Sequence, residues 1–270
     1  MITSSNSSLD KTMLPVIHYY RQYKYRPLIM EISSVSIIRN LLTVLFSMLS
    51  VFFVNGQNVT KECEYFSKIR LYSAVNVSCV VSNDSIPKVY YFNKSNTPDP
   101  IILRVEKGTL TIQTLDIPEA ELPDTVFVHF PKLIAVENCY DASLNVKSVE
   151  CDDEFKITSQ GNGIISIGNI KAPKVKSSIV TGHGSIIITG GWCESLNCSL
   201  VGTGNMELFG LSADVVSIKC YGTGKIQCVA NRSLSVRGVG STSVYYIGAP
   251  KIKKRGSIKL YKTDMFDETM

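Results

Sequence analysis

The sequence predicts an all-β protein, a single-chain parallel β-helix or solenoid with coils of about 20 residues cornered by Gly-x-Gly. Three observations predict this fold. Gly-x-Gly recurs through the second half, apolar and polar residues alternate between its copies, and β-branched and aromatic residues are abundant. An alternation of two indicates strands, and a repeat near 20 residues indicates stacked units of two or three short strands.

The glycine pairs recur at spacings of 21, 20, 20 and 16 residues, and a single Gly256 closes the series. They are Gly161/Gly163, Gly182/Gly184, Gly202/Gly204, Gly222/Gly224 and Gly238/Gly240. Alignment on the second glycine gives two apolar columns. One column is Ile165, Ile186, Met206, Ile226, Thr242 and Ile258, and the other is Ile167, Ile188, Leu208, Cys228, Val244 and Leu260. These columns are expected to face the core, and glycine suits corners where backbones approach closely.

The region before the repeats is predicted to contain further strands of the same domain. The expected strands are Leu71–Val81, Lys88–Phe92, Ile101–Thr114, Val126–Phe130, Leu133–Val136 and Leu144–Val149. Prolines separate these segments and mark turns or edges. We therefore expect one continuous β-helix domain over residues 57–262, with its repeats in 157–262 and an acidic tail over 263–270.

Residues 1–56 are predicted to be an N-terminal extension followed by a secretory signal peptide. An apolar run over residues 41–54 follows Arg39, and Gly56 precedes the expected cleavage point. Translation from Met30 would give this signal an ordinary length. The alternative is an uncleaved anchor at the cell surface, but the run of 14 residues is shorter than the roughly 20 that span a bilayer. We expect a secreted, extracellular protein.

The cysteines and glycosylation sequons agree with an oxidising compartment. All eight cysteines follow Gly56 and are candidates for disulfide bonds: Cys63, Cys79, Cys139, Cys151, Cys193, Cys198, Cys220 and Cys228. Cysteines that are neighbours in the sequence are plausible pairs, but Cys220 and Cys228, which lie on inward columns, could form a local disulfide or remain two buried thiols. Six asparagines head N-glycosylation sequons: Asn58, Asn76, Asn83, Asn93, Asn197 and Asn231. No CxxC occurs and the chain has only three histidines, so no metal site is predicted.

No catalytic or cofactor site is predicted. The net charge is +5, and residues 161–262 contain only three acids, Glu194, Glu207 and Asp214, at differing positions of the repeat. Glycoside cleavage needs two facing carboxylates, which this pattern does not supply. Asp152-Asp153-Glu154 is expected to be a solvated turn. No phosphate loop or dinucleotide motif occurs, and nucleic acid is not an expected partner. A polysaccharide lyase or hydrolase built on a β-helix is the alternative.

A cluster of cations near the end of the chain is the candidate binding site. It comprises Lys251, Lys253, Lys254, Arg255, Lys259 and Lys262. Strand alternation is expected to turn Ile252 inward and to set Lys251 and Lys253 outward together. Such a face could attract anionic glycans of the cell surface or matrix, or an anionic membrane. The alternative is an end cap, because terminal repeats need a polar surface.

Several segments resemble the GIN-domain family, whose members are described as heads of auto-transporter adhesins. The resemblance lies in V105-E-K-G-T-L-T-I112, V126-F-V-H-F-P-K-L133, the glycine series, and the closing L234-S-V-R-G-V-G240 with V244-Y-Y-I-G-A-P-K251. It covers about residues 70–262 and implies a β-helix in an extracytoplasmic protein without a known reaction. We therefore expect a non-catalytic, adhesion-like binding or structural protein. The eight cysteines and six sequons depart from the mainly bacterial pattern and indicate a secreted eukaryotic relative.

Overall fold

A computed structural model describes residues 56–82, 84–94 and 99–264, all within the unit Asn55–Met270. The predicted signal peptide, the start at Met30, the sequon at Asn83 and most of the acidic tail lie outside these residues. None of the helices described could span a membrane, because none is both long and apolar enough.

The described residues form sixteen strands and one short 3-10 turn, Glu119–Glu121. The strands are β1 Gln57–Glu62, β2 Lys68–Tyr72, β3 Asn76–Val81, β4 Lys88–Asn93, β5 Ile101–Glu106, β6 Thr109–Thr114, β7 Thr125–Phe130, β8 Ala135–Asn138, β9 Leu144–Glu150, β10 Glu154–Ser159, β11 Ile164–Lys171, β12 Lys174–Ile179, β13 Ser185–Ile188, β14 Gly191–Ile247, β15 Lys251–Gly256 and β16 Lys259–Lys262. The all-β prediction is confirmed. The long β14 runs through several copies of the repeat, including their corners.

The strands pair in two rows, and β14 contributes to both. The first row is β5-β6-β2-β8-β10-β12-β14 with β15 at its end, and the second is β1-β4-β7-β3-β9-β11-β13-β14 with β16 at its end. Within the repeats, pairing is parallel and joins segments one repeat apart. In the first row Phe155 lies opposite Val175, which lies opposite Leu196, and all three are fully buried.

The second row confirms the apolar columns predicted from the glycine alignment. Ile165 pairs with Ile186, which pairs with Met206, and all three have no exposed surface. At the far end Val244 pairs with Leu260, also as expected. The alternation of two therefore places one apolar side chain from each repeat in register along the core.

Successive backbones approach closely at the glycine corners. A Cβ atom added to Gly222 would lie 1.8 Å from the carbonyl oxygen of Gly202, and one added to Gly224 would lie 1.9 Å from that of Gly204. Gly224 also has a φ of +155°, which L-residues rarely adopt. Glycine is therefore required at these corners by the distance between stacked chains.

The glycine alignment fails at one copy. A Cβ on Gly238 would meet the backbone of Cys220, and one on Gly240 would meet Gly222, so this copy lies two residues out of the alignment. A slip of two residues keeps every side chain on its own face of the strand, whereas a slip of one would invert the faces. The repeat therefore tolerates the shorter spacing of 16 residues without exposing its core.

The region before the repeats departs from the prediction in two ways. The segments Leu71–Val81 and Ile101–Thr114 are each interrupted, and the second is a hairpin whose turn, Lys107-Gly108, has φ of 49° and 70°. Positive φ at both turn residues is typical of a tight type I′ hairpin. The early strand β2 lies between β6 and β8, and β3 lies between β7 and β9, all of which come later in the chain. The pairs β1–β4, β4–β7 and β5–β6 are antiparallel.

The structure does not form the predicted disulfide bonds. All eight cysteines are free thiols, and six of them are buried: Cys79, Cys151, Cys193, Cys198, Cys220 and Cys228. A buried thiol behaves as a small apolar side chain, so these cysteines fill core positions that alternation assigns to them. Cys193, Cys220 and Cys228 lie close enough to Cys198 to contribute to the rise in its pKa.

Burial makes these thiols poor nucleophiles. It raises the pKa of Cys193 and Cys228 to about 12 and that of Cys151 and Cys220 to about 11. Burial, reinforced by the neighbouring cysteines, also raises the pKa of Cys198 well above its ordinary value. Because the thiolate is the reactive form, these groups are expected to be inert in the folded protein.

Substitution at a crowded corner should destabilise the protein far more than substitution at an open one. Gly222→Ala places a methyl group 1.8 Å from a carbonyl oxygen, and we expect a loss of about 3 kcal/mol in the free energy of unfolding. Gly202→Ala is the control, because its Cβ would meet nothing closer than 3.9 Å and only its φ of +88° is unfavourable. There we expect about 1 kcal/mol. Equal losses by denaturant unfolding would contradict the close approach.

Thiol titration tests the state of the cysteines. At pH 8 an aromatic disulfide reagent should react with at most the two half-exposed thiols, Cys63 and Cys139, in the folded protein. All eight should react in denaturant. Cys63→Ser/Cys139→Ser should abolish the reaction of the folded protein. Fewer than eight reactive thiols in denaturant would instead show that disulfides form, as the sequence predicts.

Candidate functional site

The outer surface of the first row carries a concentration of cations, called here the basic face. The members on β10, β12 and β14 alternate with buried residues, so their side chains point away from the core. The members on β15, which has no buried residue, lie opposite outward positions of β14. All are exposed. The members are Lys156, Lys174, Lys176, Lys219, Arg237, Lys251, Lys253 and Arg255.

Three of these cations lie directly opposite one another in successive strands and form a cation column. Arg237 pairs in register with Arg255. The contact of Gly238 with the backbone of Cys220 places Arg237 beside Lys219 in the preceding strand. Neighbouring strands are about 4.8 Å apart, and like charges directly opposite each other destabilise a sheet. The cation column therefore has an electrostatic cost in the free protein.

Two other cations of the repeats are paired with acids one repeat away. Lys171 Nζ lies 2.7 Å from a carboxylate oxygen of Glu150. Arg232 Nη2 lies 2.9 Å from Asp214 Oδ2. In contrast, the part of the chain that the structure describes offers no ion-pair partner to any residue of the cation column. The column differs from other unpaired cations of the repeats in that its like charges lie directly opposite one another.

Two shallow depressions lie along the basic face. One depression has a volume of about 410 Å³ and is lined by Lys156 and Lys174. The second, of about 460 Å³, contains Lys176 and Lys219. The two depressions share one lining residue, Glu154. Lys156 and Lys174 are paired with Glu154 and Asp153, whereas Lys176 and Lys219 have no ion-pair partner among the described residues.

The predicted cationic patch near the end of the chain is divided by strand alternation. All six cations are exposed, as expected. Lys251, Lys253 and Arg255 belong to the basic face. Lys259 lies on the outer surface of the second row, on a different strand. Three of the six cations therefore share one face, while Lys254, Lys259 and Lys262 do not lie on it.

Lys254 and Lys262 occupy the inward register. Lys254 lies opposite the buried Val236, and Lys262 lies opposite the buried Tyr246. Ile252 has the inward register that the sequence predicts, opposite the buried Leu234, but its side chain is 46% exposed. The reason is that no described strand pairs with the outer edge of β15.

Sequence reasoning missed Lys176, Lys219 and Arg237. Alignment of the glycine pairs matches Arg237 with Tyr221, whereas the structure places it beside Lys219. The slip of two residues at this copy concealed the column. The available signal was strand alternation within each repeat rather than the spacing of the glycines, since Lys219 and Arg237 both occupy outward positions of their strands.

The sequons differ in accessibility. Asn58, Asn76, Asn197 and Asn231 are exposed, while Asn93 is only 9% exposed and is the least accessible of the five described. Asn197 lies within the basic face, in the same depression as Lys176 and Lys219. A glycan attached there would cover part of that face.

Acidic residues of the repeats do not converge. Glu194 and Glu207 are exposed, and no group of three or more acidic, histidine or cysteine side chains in the described segments could hold a metal ion. The run Asp152-Asp153-Glu154 is solvated, as predicted, and each of its acids pairs with a lysine.

One half-buried polar cluster has a structural role. Asp99 accepts hydrogen bonds from Lys61, from the Tyr91 hydroxyl and from the backbone of Ile101, which ties β1, β4 and the start of β5 together. Burial works to raise the pKa of Asp99, but these hydrogen bonds hold it below its ordinary value. Because its oxygens are occupied by these donors, the carboxylate is poorly placed to act as a base.

Comparison with solved structures shows the same fold in bacterial proteins. A "putative adhesin" from Bacteroides fragilis is 18% identical and superposes with a TM-score of 0.64, covering 77% of this chain and 97% of that one. A "putative lipid binding protein" from Parabacteroides distasonis is 21% identical, with a TM-score of 0.60 and coverage of 78% and 98%. A "putative adhesin" from Parabacteroides merdae is 17% identical, with a TM-score of 0.57 and the same coverage.

The family match is made by sequence. No curated protein matches the chain. The family described as "Putative auto-transporter adhesin, head GIN domain" matches residues 65–250. This span includes the hairpin of β5 and β6, every glycine pair and the closing motif from which the resemblance was predicted. The chain therefore belongs to the GIN-domain family.

Proposed function

We propose that this protein is an extracellular or cell-surface binding protein of the adhesion type, without catalytic activity, that holds an anionic glycan chain along its basic face. Family membership supports the adhesion-like role, since the family is described by that activity. The exposed cations that cross several strands supply the means of binding. The proposal includes secretion by the signal segment before Gly56, glycosylation at exposed sequons, and the domain limits 57–262.

We further propose that the repeats wind as a parallel β-helix with corners at the glycine pairs. Support comes from the parallel pairing of segments one repeat apart in both rows. In this arrangement the basic face runs along the axis of the helix. Strands along that axis are about 4.8 Å apart, and a linear polyanion would meet cations on most of them, though not on the segment where Ser195 and Asn197 lie opposite Lys174 and Lys176.

The cation column is the observation that carries the proposed function. A column of like charges opposes folding unless an opposite charge neutralises it. Acids neutralise some other cations of the repeats, such as Lys171 and Arg232, but none in the described residues neutralises the column. An anionic ligand would relieve the repulsion among Lys219, Arg237 and Arg255, and electrostatic attraction of this kind weakens with added salt.

The chemistry of the carboxylates favours binding over catalysis. A glycoside hydrolase on this scaffold needs two acids that face each other across a cleft. Within the described residues, the acids beside the basic face are engaged with lysines, as in the pair Asp153 and Lys174 at 3.2 Å. The polysaccharide-active enzyme considered from the sequence therefore has less support than a binding protein.

An anionic membrane is the second candidate ligand. Val180 and Val201 are 47% and 42% exposed at the edge of the depression that contains Lys176 and Lys219. Apolar side chains beside cations are typical of surfaces that lie on anionic bilayers. The structural neighbour described as a lipid binding protein agrees with this candidate.

Reversal of the central charge of the column tests the proposal. Arg237→Glu places a carboxylate between Lys219 and Arg255, which should stabilise the free protein by up to about 1 kcal/mol at low salt. The same change should lower the salt concentration at which the full chain elutes from immobilised heparin. Measurement of both thermal unfolding and elution separates binding from folding.

Lys147→Glu is the matched control. Lys147 is an exposed lysine of the second row without an ion-pair partner among the described residues, and its reversal changes the net charge equally. It should leave elution close to that of the wild type. Equal shifts for both variants would mean that only net charge matters, and binding to anionic vesicles but not to heparin would favour the membrane.

A further inference from the structure

A second feature lies on the outer surface of the second row, in the last repeats, where Lys225 and Tyr245 are half-buried and Tyr261 is exposed. The rings of Tyr245 and Tyr261 are stacked, with centroids 5.1 Å apart and planes inclined by 23°. The ammonium of Lys225 lies 5.0 Å from the centroid of Tyr245. Such contacts between a cation and an aromatic ring, and between offset rings, are attractive. We call these three residues the tyrosine ladder.

The tyrosine ladder follows the stacking of the strands. Tyr245 and Tyr261 lie opposite each other in the pairing of β14 with β16. Lys225 comes from the repeat before Tyr245, and Tyr261 from the strand after it, so they cover opposite sides of the Tyr245 ring. The ladder thus has three rungs in the order cation, ring, ring.

The last rung is open. Among the described strands, only β14 pairs with β16, so no further rung covers the outer side of Tyr261. Its side chain is 43% exposed. A flat ligand could therefore continue the ladder by stacking on this ring without displacing any described side chain.

The charges around the open ring select the ligand. Lys259 precedes Tyr261 by two residues and has the same outward parity, and it is exposed. Neither Lys259 nor Lys225 has an ion-pair partner within the described segments. Cations at this spacing repel a positively charged ligand and attract an acidic one. The site therefore suits a ring that has an apolar face and bears a carboxylate.

We propose that Tyr261 and Lys259 form a subsite for a uronic acid residue of a glycan, with the sugar ring stacked on Tyr261 and its carboxylate beside Lys259. This inference rests on the proposed function, since it names the sugar class that an anionic-glycan-binding protein would take at its end. It differs from the basic face in kind. The basic face attracts any polyanion, whereas a stacking contact requires a ring.

The test compares two ligands and two tyrosines. The ligands are an unsulfated oligosaccharide of alternating glucuronic acid and N-acetylglucosamine, and inorganic polyphosphate, which has charge but no ring. Tyr261→Ala in the full chain should weaken binding of the oligosaccharide about tenfold by calorimetry, equivalent to about 1.4 kcal/mol. Binding of polyphosphate should be unchanged.

Tyr221→Ala is the matched control, because Tyr221 is 51% exposed at a corner and has no stacked partner in the described structure. It should leave both ligands unaffected. Tyr261→Phe keeps the ring and should retain binding of the oligosaccharide, which separates stacking from the hydroxyl group. Thermal unfolding of each variant verifies the fold.

The inference and the proposed function fail separately. Unchanged oligosaccharide affinity in Tyr261→Ala would overturn the subsite, even if Arg237→Glu still weakens binding to heparin. Equal losses for the oligosaccharide and polyphosphate would also overturn it, because they would show a charge effect without stacking. Heparin elution unaffected by Arg237→Glu would instead contradict the proposed function while leaving the stacking measurement interpretable.

Discussion

The close contact of backbones at the glycine corners is the constraint on which the structure depends. The carbonyl oxygen of Gly202 lies where the Cβ atom of a side chain on Gly222 would be. The carbonyl oxygen of Gly204 occupies the corresponding place beside Gly224. Because no Cβ separates these chains, the flanking strands can keep parallel, in-register pairing. The register then places like positions of successive repeats opposite one another. Columns of equivalent side chains follow, both inside and outside the protein.

The inner and outer columns have different consequences. Inside, alignment of Ile165, Ile186 and Met206 makes a continuous apolar core from short strands that could not bury a core alone. Outside, the same register places equivalent surface side chains next to one another. Opposite charges then form ion pairs and like charges repel each other. Aromatic rings stack, as Tyr245 and Tyr261 do. Binding features are thus produced by the same register that builds the core.

The sequence predicted the parts of the fold that are periodic and local. The apolar columns were accessible because alternation and repeat length are visible in one chain. The slip at Gly238 was not, since register depends on a contact with Cys220 that no spacing reveals. The positions of β2 and β3 between later strands are long-range pairings of the same kind. The hairpin at Lys107-Gly108 did have a signal, because a glycine after a polar residue between alternating segments is typical of a tight turn.

The terminal repeat shows how the two sequence interpretations of the cationic patch can both hold. Along β15, Lys251, Lys253 and Arg255 extend the basic face, while Lys254 takes the register of the buried Val236. A lysine at an inward position cannot be covered by another apolar rung without burying its charge, which is unfavourable. The inward parity therefore opposes further stacking, and the outward parity adds cations to the face. On this view one strand both limits the core and lengthens the proposed binding surface, because alternation assigns inward and outward positions to different residues.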